Sequence, residues 1–286
     1  MPRDSDATTV GFERLVDHLR SRRPGDTVGI YLYGSAVAGG LRPDSDIDLL
    51  VLARRSLSTA ERESLTRLLL SVSGWRGHRT TFPEAGDRRP IELTILVVGA
   101  DHPWVPQPHY DYQYGEWLRA NISAGHMLRP ADESDILLLV ATALDCHRVL
   151  YGPALTEIVA PLAPETIRDA AVAVLPDLLD GLAGDERNAL LTVARIVVTV
   201  ETGRIVSKDA AARYIAEQLS DADRGPIELA LAGYLGTVDD EWSGRTAQVH
   251  DLASRLAARA RRGRLVQMGD VVERDDPPIE GDGILT

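Results

Sequence analysis

The chain has 286 residues, 44% of them hydrophobic and 26% charged, which is typical of a globular protein with one large domain or two ordinary ones. Its formal net charge of −12 disfavours nucleic-acid binding, which needs a basic surface, and favours a small cationic partner. No apolar run approaches the roughly 20 residues of a membrane span, and the N-terminus lacks a secretory hydrophobic segment. The single cysteine, Cys146, excludes an internal disulfide, so we expect a cytoplasmic protein without membrane contact.

The N-terminal half is predicted to alternate between helices and strands. Helical spacing of apolar residues predicts helices over 12–20 and 59–72, and short buried runs predict strands over 28–33, 47–53 and 91–98. Because a helix separates the second and third strands, we expect a mixed α/β sheet. The remaining segments are predicted as two loops, an ambiguous stretch and an apolar helix, at 73–89, 102–108, 112–118 and 135–150 respectively.

Beyond a break rich in proline, the pattern is helical throughout. Gly203 and Ser207 stand where a helix C-cap and the next N-cap are expected. We therefore predict two domains, 1–157 and 158–266, and a mobile acidic tail over 267–286. The second domain is predicted to contain five helices, over about 165–179, 186–202, 208–219, 227–235 and 245–261.

The stretch YGSAVAGGLRPDSDIDLLV, residues 33–51, contains the clearest functional pattern. Asp46 and Asp48 are two residues apart on a predicted strand and therefore project from the same face. Their mutual repulsion is best explained by a divalent cation between them, and carboxylate oxygens suit magnesium. Gly34 and Ser35 follow the preceding strand, where free backbone N–H groups can hold a phosphate. The pattern indicates phosphoryl or nucleotidyl transfer rather than a simple turn before an acidic strand.

A third acid, Glu92, begins the third predicted strand. If that strand lies beside the one with Asp46 and Asp48, Glu92 joins their site as a metal ligand or as the general base for an attacking hydroxyl. The alternative is a solvent-facing acid at the end of a strand.

Several short sequence motifs follow one another along the chain in a defined order. The pattern G-S, ten residues, then D-x-D resembles the nucleotidyltransferase fold of the DNA polymerase β type. LYGSAVAGGLRPDSDIDLLV, IELTILVV, YGEWLR, GDERN, LTVARI, TGRIVSKDAA and GYLG, spread over about residues 28–236, resemble the aminoglycoside adenylyltransferases acting on streptomycin and spectinomycin. The resemblance implies an N-terminal nucleotidyltransferase domain with a mixed sheet, a C-terminal α-helical bundle domain, and an active site between them.

The resemblance also implies roles for individual residues. Asp46 and Asp48 match the metal-binding aspartates, and Glu92 matches the catalytic base and is a further expected metal ligand. The expected nucleotide contacts are Gly34, Ser35, Ser45, Arg195, Lys208 and Tyr234. The expected drug contacts are Glu92, Asn188, Trp117 and Asp185. Asn188 stands where some relatives of the resembled family have histidine. Trp117 and Asp185 match the pair associated with accepting streptomycin.

Taken together, the resemblance implies AMP transfer from ATP to the 3''-hydroxyl of streptomycin and the 9-hydroxyl of spectinomycin. We expect two Mg2+ ions, release of pyrophosphate, antibiotic resistance as the outcome, and a monomer that binds small cationic aminocyclitols and no nucleic acid. Two alternatives remain: a nucleotidyltransferase acting on RNA or protein, and a nucleotide-binding regulatory or antitoxin-like protein.

Overall fold

The computed structural model describes residues 3–38, 40–42, 45–99 and 103–274, and side chains within residues 9–267 of these ranges. It shows a mixed α/β region followed by a helical region. Among the helices of these ranges, none combines the length and the apolar character that a membrane crossing requires.

The predicted mixed sheet forms the centre of the first region, and it has five strands rather than the three that the sequence predicts. Its strands are β1 (Thr27–Tyr33), β2 (Ile47–Ala53), β3 (Ile91–Val97), β4 (Tyr112–Tyr114) and β5 (His147–Tyr151). They lie in the order β4-β3-β2-β1-β5, and β2 and β3 are parallel while the other neighbours are antiparallel. The end of β1 and the beginnings of β2, β3 and β5 therefore meet at one edge of the sheet.

Helices cover both faces of this sheet. Helices α1 (Arg3–Arg22) and α2 (Thr59–Val72) pack on one face, and α4 (Asp135–Asp145) and α5 (Leu155–Ile158) pack on the other. The short α3 (Arg119–Ser123) follows β4. Ser58 caps α2 as part of a capping box with Glu61, because each side chain bonds the other residue's backbone N–H.

The second region has a hydrophobic core of its own, centred on α8. Gly203 ends α8 in the left-handed conformation, with φ of 70°, and Ser207 accepts a hydrogen bond from the backbone N–H of Ala210 at the start of the next helix. Both predicted caps are thereby confirmed. The helices are α6 (Pro164–Ala173), α7 (Leu175–Asp180), α8 (Glu186–Thr202), α9 (Lys208–Ala216), α10 (Asp221–Leu235) and α11 (Thr246–Arg274).

The helix predicted over 135–150 is wrong beyond Asp145. The chain becomes extended at Cys146, and residues 147–151 form β5 against β1. No proline or glycine marks the change between Asp145 and Tyr151, so the sequence pattern alone could not place it. Pairing with Tyr33 and its neighbours on β1 determines it.

Other differences concern where helices begin and end. The first helix begins at Arg3, the helix predicted over 165–179 is two helices, and α10 begins six residues earlier than predicted, at Asp221. The last helix continues past Gln267, where the tail was predicted to begin, to Arg274, and 275–286 lie outside the described residues.

Candidate active site

The three predicted acids meet at the edge of the sheet where β1 ends. Asp48 lies opposite Glu92 in the parallel register of β2 and β3, and opposite Tyr33 in the antiparallel register of β1 and β2. Asp46 immediately precedes β2, and its side chain hydrogen bonds that of Glu92. The alternation of side chains along a strand therefore places Asp46, Asp48 and Glu92 in one cleft, as the sequence predicted.

Burial raises the pKa of each of these three carboxyls. Burial in the cleft, followed by the neighbouring Asp46 carboxyl, raises the pKa of Asp48 to about 7. Burial likewise raises the pKa of Glu92 well above its ordinary value, and the nearby carboxyls of Asp48 and Asp46 raise it further. The hydrogen bond to Asp46 thus has Glu92 as the proton donor, because two ionised carboxylates could not share it.

Gly34 makes the position of Asp48 possible. It follows β1 in the left-handed conformation, with φ of 68°, at the start of the single turn Gly34–Ala36 that includes Ser35. A Cβ atom on Gly34 would clash with Oδ2 of Asp48. The glycine expected at a phosphate-binding turn therefore has a second role here, since the backbone passes directly beside a carboxylate.

The helical region contributes two cations to the cleft. Lys208 begins α9 and Arg195 lies on α8. Burial, and then the Arg195 guanidinium, lower the pKa of Lys208, while the three carboxyls oppose this shift. Burial also lowers the pKa of Arg195, and Asp48, Tyr234 and Tyr33 oppose it, which places Tyr234 beside the same guanidinium. Three acids from the sheet and two cations from the helical region therefore form one cluster.

Asn188 connects Lys208 to Asp185. Its Oδ1 accepts a hydrogen bond of 2.5 Å from Nζ of Lys208, and its Nδ2 donates one of 2.9 Å to Oδ2 of Asp185. Asp185 precedes α8 and is exposed. Asn188 therefore positions the lysine in the cleft.

An arginine that the sequence analysis missed fixes the segment before β2. Nη1 of Arg89 donates hydrogen bonds to the backbone carbonyls of Arg42, at 2.9 Å, and Ser45, at 2.6 Å. Ser45 is itself buried, and its Oγ accepts from the backbone N–H of Arg42. Arg42 also lies 3.8 Å from Asp209 of α9, so the segment leading to Asp46 touches the helical region. Only the folded arrangement reveals these contacts, because Arg89 lies in a predicted loop.

The carboxylate oxygens of Asp46 and Asp48 are ligands of the kind that divalent cations such as magnesium prefer. Asp46 and Asp48 offer hard carboxylate oxygens under mutual repulsion, which a cation would relieve. Among the described residues, no group of three or more His, Cys, Asp or Glu side chains is arranged to hold a metal ion by itself. Magnesium needs no such cluster, because it is commonly held by one or two carboxylates, waters and substrate phosphates.

A cavity of about 270 Å3 opens beside the acids. Glu92 and Trp117 line it, and Trp117 is 56% exposed, whereas Asp185 is not among its lining residues. The other lining residues, which the sequence analysis missed, include Thr94, Tyr110, Gln113, Glu133 and Asp135.

Comparison with known proteins identifies the family. The model of the aminoglycoside adenylyltransferase C-terminal domain matches residues 157–259, and the nucleotidyltransferase domain model matches 12–78. A spectinomycin 9-adenylyltransferase of Staphylococcus aureus is 38% identical over 225 residues, which are 79% of this chain and 84% of the relative. The chain belongs to the aminoglycoside adenylyltransferase family.

Two further family members are similar over most of their length. An aminoglycoside (3'') (9) adenylyltransferase of Escherichia coli is 35% identical over 230 residues, 78% of this chain and 84% of the relative. The crystal structure of spectinomycin adenyltransferase AAD(9) from Enterococcus faecalis, with ATP and spectinomycin, superimposes with a TM-score of 0.76 at 28% identity. It covers 89% of this chain and 98% of that one. The predicted family, fold class and enzyme class, an aminoglycoside nucleotidyltransferase, are confirmed.

Proposed function

We propose that this adenylyltransferase transfers AMP from ATP to a hydroxyl of spectinomycin and of streptomycin, releases pyrophosphate, and thereby confers resistance. Relatives named for both types of activity, and a solved family member holding ATP and spectinomycin, support this proposal. The observation that carries it is the cleft in which Asp46, Asp48 and Glu92 meet Lys208 and Arg195.

The nucleotide is proposed to lie across the two regions of the chain, which we assign as domains 1–157 and 158–266. Gly34, Ser35 and Ser45 would contact its phosphates at the edge of the sheet. Arg195 and Lys208 would neutralise the charge of the leaving pyrophosphate, with Tyr234 beside Arg195. Because these cations belong to the helical domain, the reaction requires both domains.

Magnesium, expected as two ions, would be held by Asp46 and Asp48, with Glu92 as a further ligand. When bound, it supplies charge stabilisation for the triphosphate and the developing leaving group. Burial and the neighbouring carboxyls raise the pKa values of Asp48 and Glu92, and a cation held by Asp46 and Asp48 would relieve this repulsion.

Glu92 is the proposed general base. It must lose its proton before it can accept one from the drug hydroxyl, and its hydrogen bond to Asp46 holds that proton in the absence of substrates. Binding of positive charge at Asp46 would lower the pKa of Glu92 and free it to act. Base catalysis would therefore be available only in the loaded site.

The drug is proposed to enter the cavity beside Glu92. Trp117, which lines this cavity, offers a flat face to a guanidinium or sugar ring of streptomycin. Asp185 would pair with a cationic group, and Asn188 would contact drug or nucleotide while holding Lys208. The net charge of −12 favours such cationic acceptors over RNA, and we propose a monomer.

Pyrophosphate release from ATP and magnesium tests the proposal, with spectinomycin, streptomycin or RNA as acceptor in separate reactions. We expect release with both drugs and none with RNA. Release with spectinomycin alone would remove the streptomycin assignment and the roles of Trp117 and Asp185. Release with RNA alone, or ATP binding without turnover on any acceptor, would replace the proposed function with one of the two alternatives.

A further inference from the structure

Two polar residues line the cavity beside Glu92. Thr94 follows Glu92 by two residues on β3, so both project from the same face of the sheet. Gln113 on β4 is the cross-strand partner of Thr94. Both residues line the cavity, and they are only 3% and 9% exposed.

Neither side chain has a partner of its own. Within the described part of the chain, the Thr94 hydroxyl and the Gln113 carboxamide form no hydrogen bond. Other buried polar side chains do: the Thr27 hydroxyl donates to the Pro24 carbonyl at 2.7 Å, and the Ser73 hydroxyl to Glu116 at 2.6 Å. Among the described residues, the only fully buried side-chain polar atom without a partner is Oε1 of Gln267, so the polar atoms of Thr94 and Gln113 are open to the cavity. They are therefore available to hydrogen bond a ligand that enters it.

The remaining surface of the cavity indicates which ligand. Glu133 and Asp135 hydrogen bond to each other on one side, and Tyr110 bonds Glu133. Trp117 and Leu139 provide apolar surface. The cavity therefore combines hydrogen-bonding groups with an acidic pair of carboxyls, Glu133 and Asp135, and its volume of about 270 Å3 admits a compact ring system rather than a polymer.

We propose that Thr94 and Gln113 determine acceptor specificity by hydrogen bonding the ring oxygens and hydroxyls of an aminocyclitol, while Glu133 and Asp135 hold its ammonium group. This inference rests on the proposed function. It assigns Thr94 and Gln113 to positioning the acceptor so that the hydroxyl to be adenylylated faces Glu92.

Thr94→Val and Gln113→Met test the assignment, because each keeps the shape of the side chain and removes its hydrogen bonds. Each should raise the KM for spectinomycin by about tenfold, since a ligand group is left unpaired, and leave the KM for ATP unchanged. The melting temperature should stay the same, because neither side chain hydrogen bonds another part of the protein. A structural role would instead lower it and change both KM values.

Thr66→Val is the matched control. It removes a hydroxyl that bonds the Tyr112 hydroxyl at 2.9 Å on the opposite face of the sheet, and should leave the spectinomycin KM unchanged. If wild-type enzyme turns over spectinomycin and both cavity variants keep its KM, this inference is overturned while the proposed function stands. If wild type neither binds nor adenylylates either drug, both fail.

Discussion

Substitution of Gly34 by alanine should disable the site from a residue that has no reactive group. The new Cβ would clash with Oδ2 of Asp48, so the carboxylate must retreat on the order of 1 Å to restore van der Waals contact. A misplacement of that size costs about 100-fold in catalysis. The left-handed backbone, with φ of 68°, adds about 1–2 kcal/mol of strain for a residue with a side chain.

Steady-state pyrophosphate release and thermal unfolding measure these two effects separately. We expect kcat to fall about 100-fold and the melting temperature to fall by about 2–4 °C per kcal/mol of strain. Gly125→Ala is the matched control, because Gly125 has φ of 90° and an added Cβ would meet no atom within 4 Å. It should lose stability and keep kcat. Equal activity of the two variants would refute the role of Gly34 in placing Asp48.

Two further outcomes follow from the electrostatics of the cleft. Asp48 has a pKa of about 7 in the folded protein and 3.8 as its ordinary value, so the folded state binds more protons between these limits. The free energy of unfolding of the metal-free enzyme should therefore fall by a few kcal/mol as pH rises from about 4 to about 7. Urea denaturation across this range would show the slope, and an unchanged slope in Asp48→Asn would contradict the assignment. Asn188→Ala should raise the KM for ATP several-fold, because Lys208 loses the acceptor that holds it. Asn121 is an exposed asparagine on α3, and Asn121→Ala should leave this KM unchanged; equal KM values for the two variants would exclude the positioning role of Asn188.

The catalytic acids could be predicted from the sequence because their arrangement is local. Asp46 and Asp48 share a face through the two-residue period of a strand, and Glu92 needs only that β3 lie beside β2. Likewise, Thr59–Val72 could be predicted as a helix from its apolar spacing and the Ser58 cap.

Features that depend on tertiary pairing could not be predicted in this way. The Thr94–Gln113 pair joins segments that are 19 residues apart, and within IELTILVV a threonine is an ordinary strand residue. Arg89 acts on backbone carbonyls, which have no sequence pattern. The convergence of Arg195 and Lys208 on the acids was inferred from motif resemblance alone, because it depends on how α8 and α9 pack against the sheet domain.

Mass spectrometry of spectinomycin after incubation with ATP and magnesium tests the central claim most directly, with wild type compared to Glu92→Gln. We expect wild type to convert the drug to its AMP ester. We expect Glu92→Gln to bind ATP and spectinomycin but to form no ester, because glutamine keeps the shape of the side chain and cannot accept the proton. Ester formation by Glu92→Gln at the wild-type rate would contradict the assignment of the base, and absence of the ester with wild type would contradict the proposed reaction.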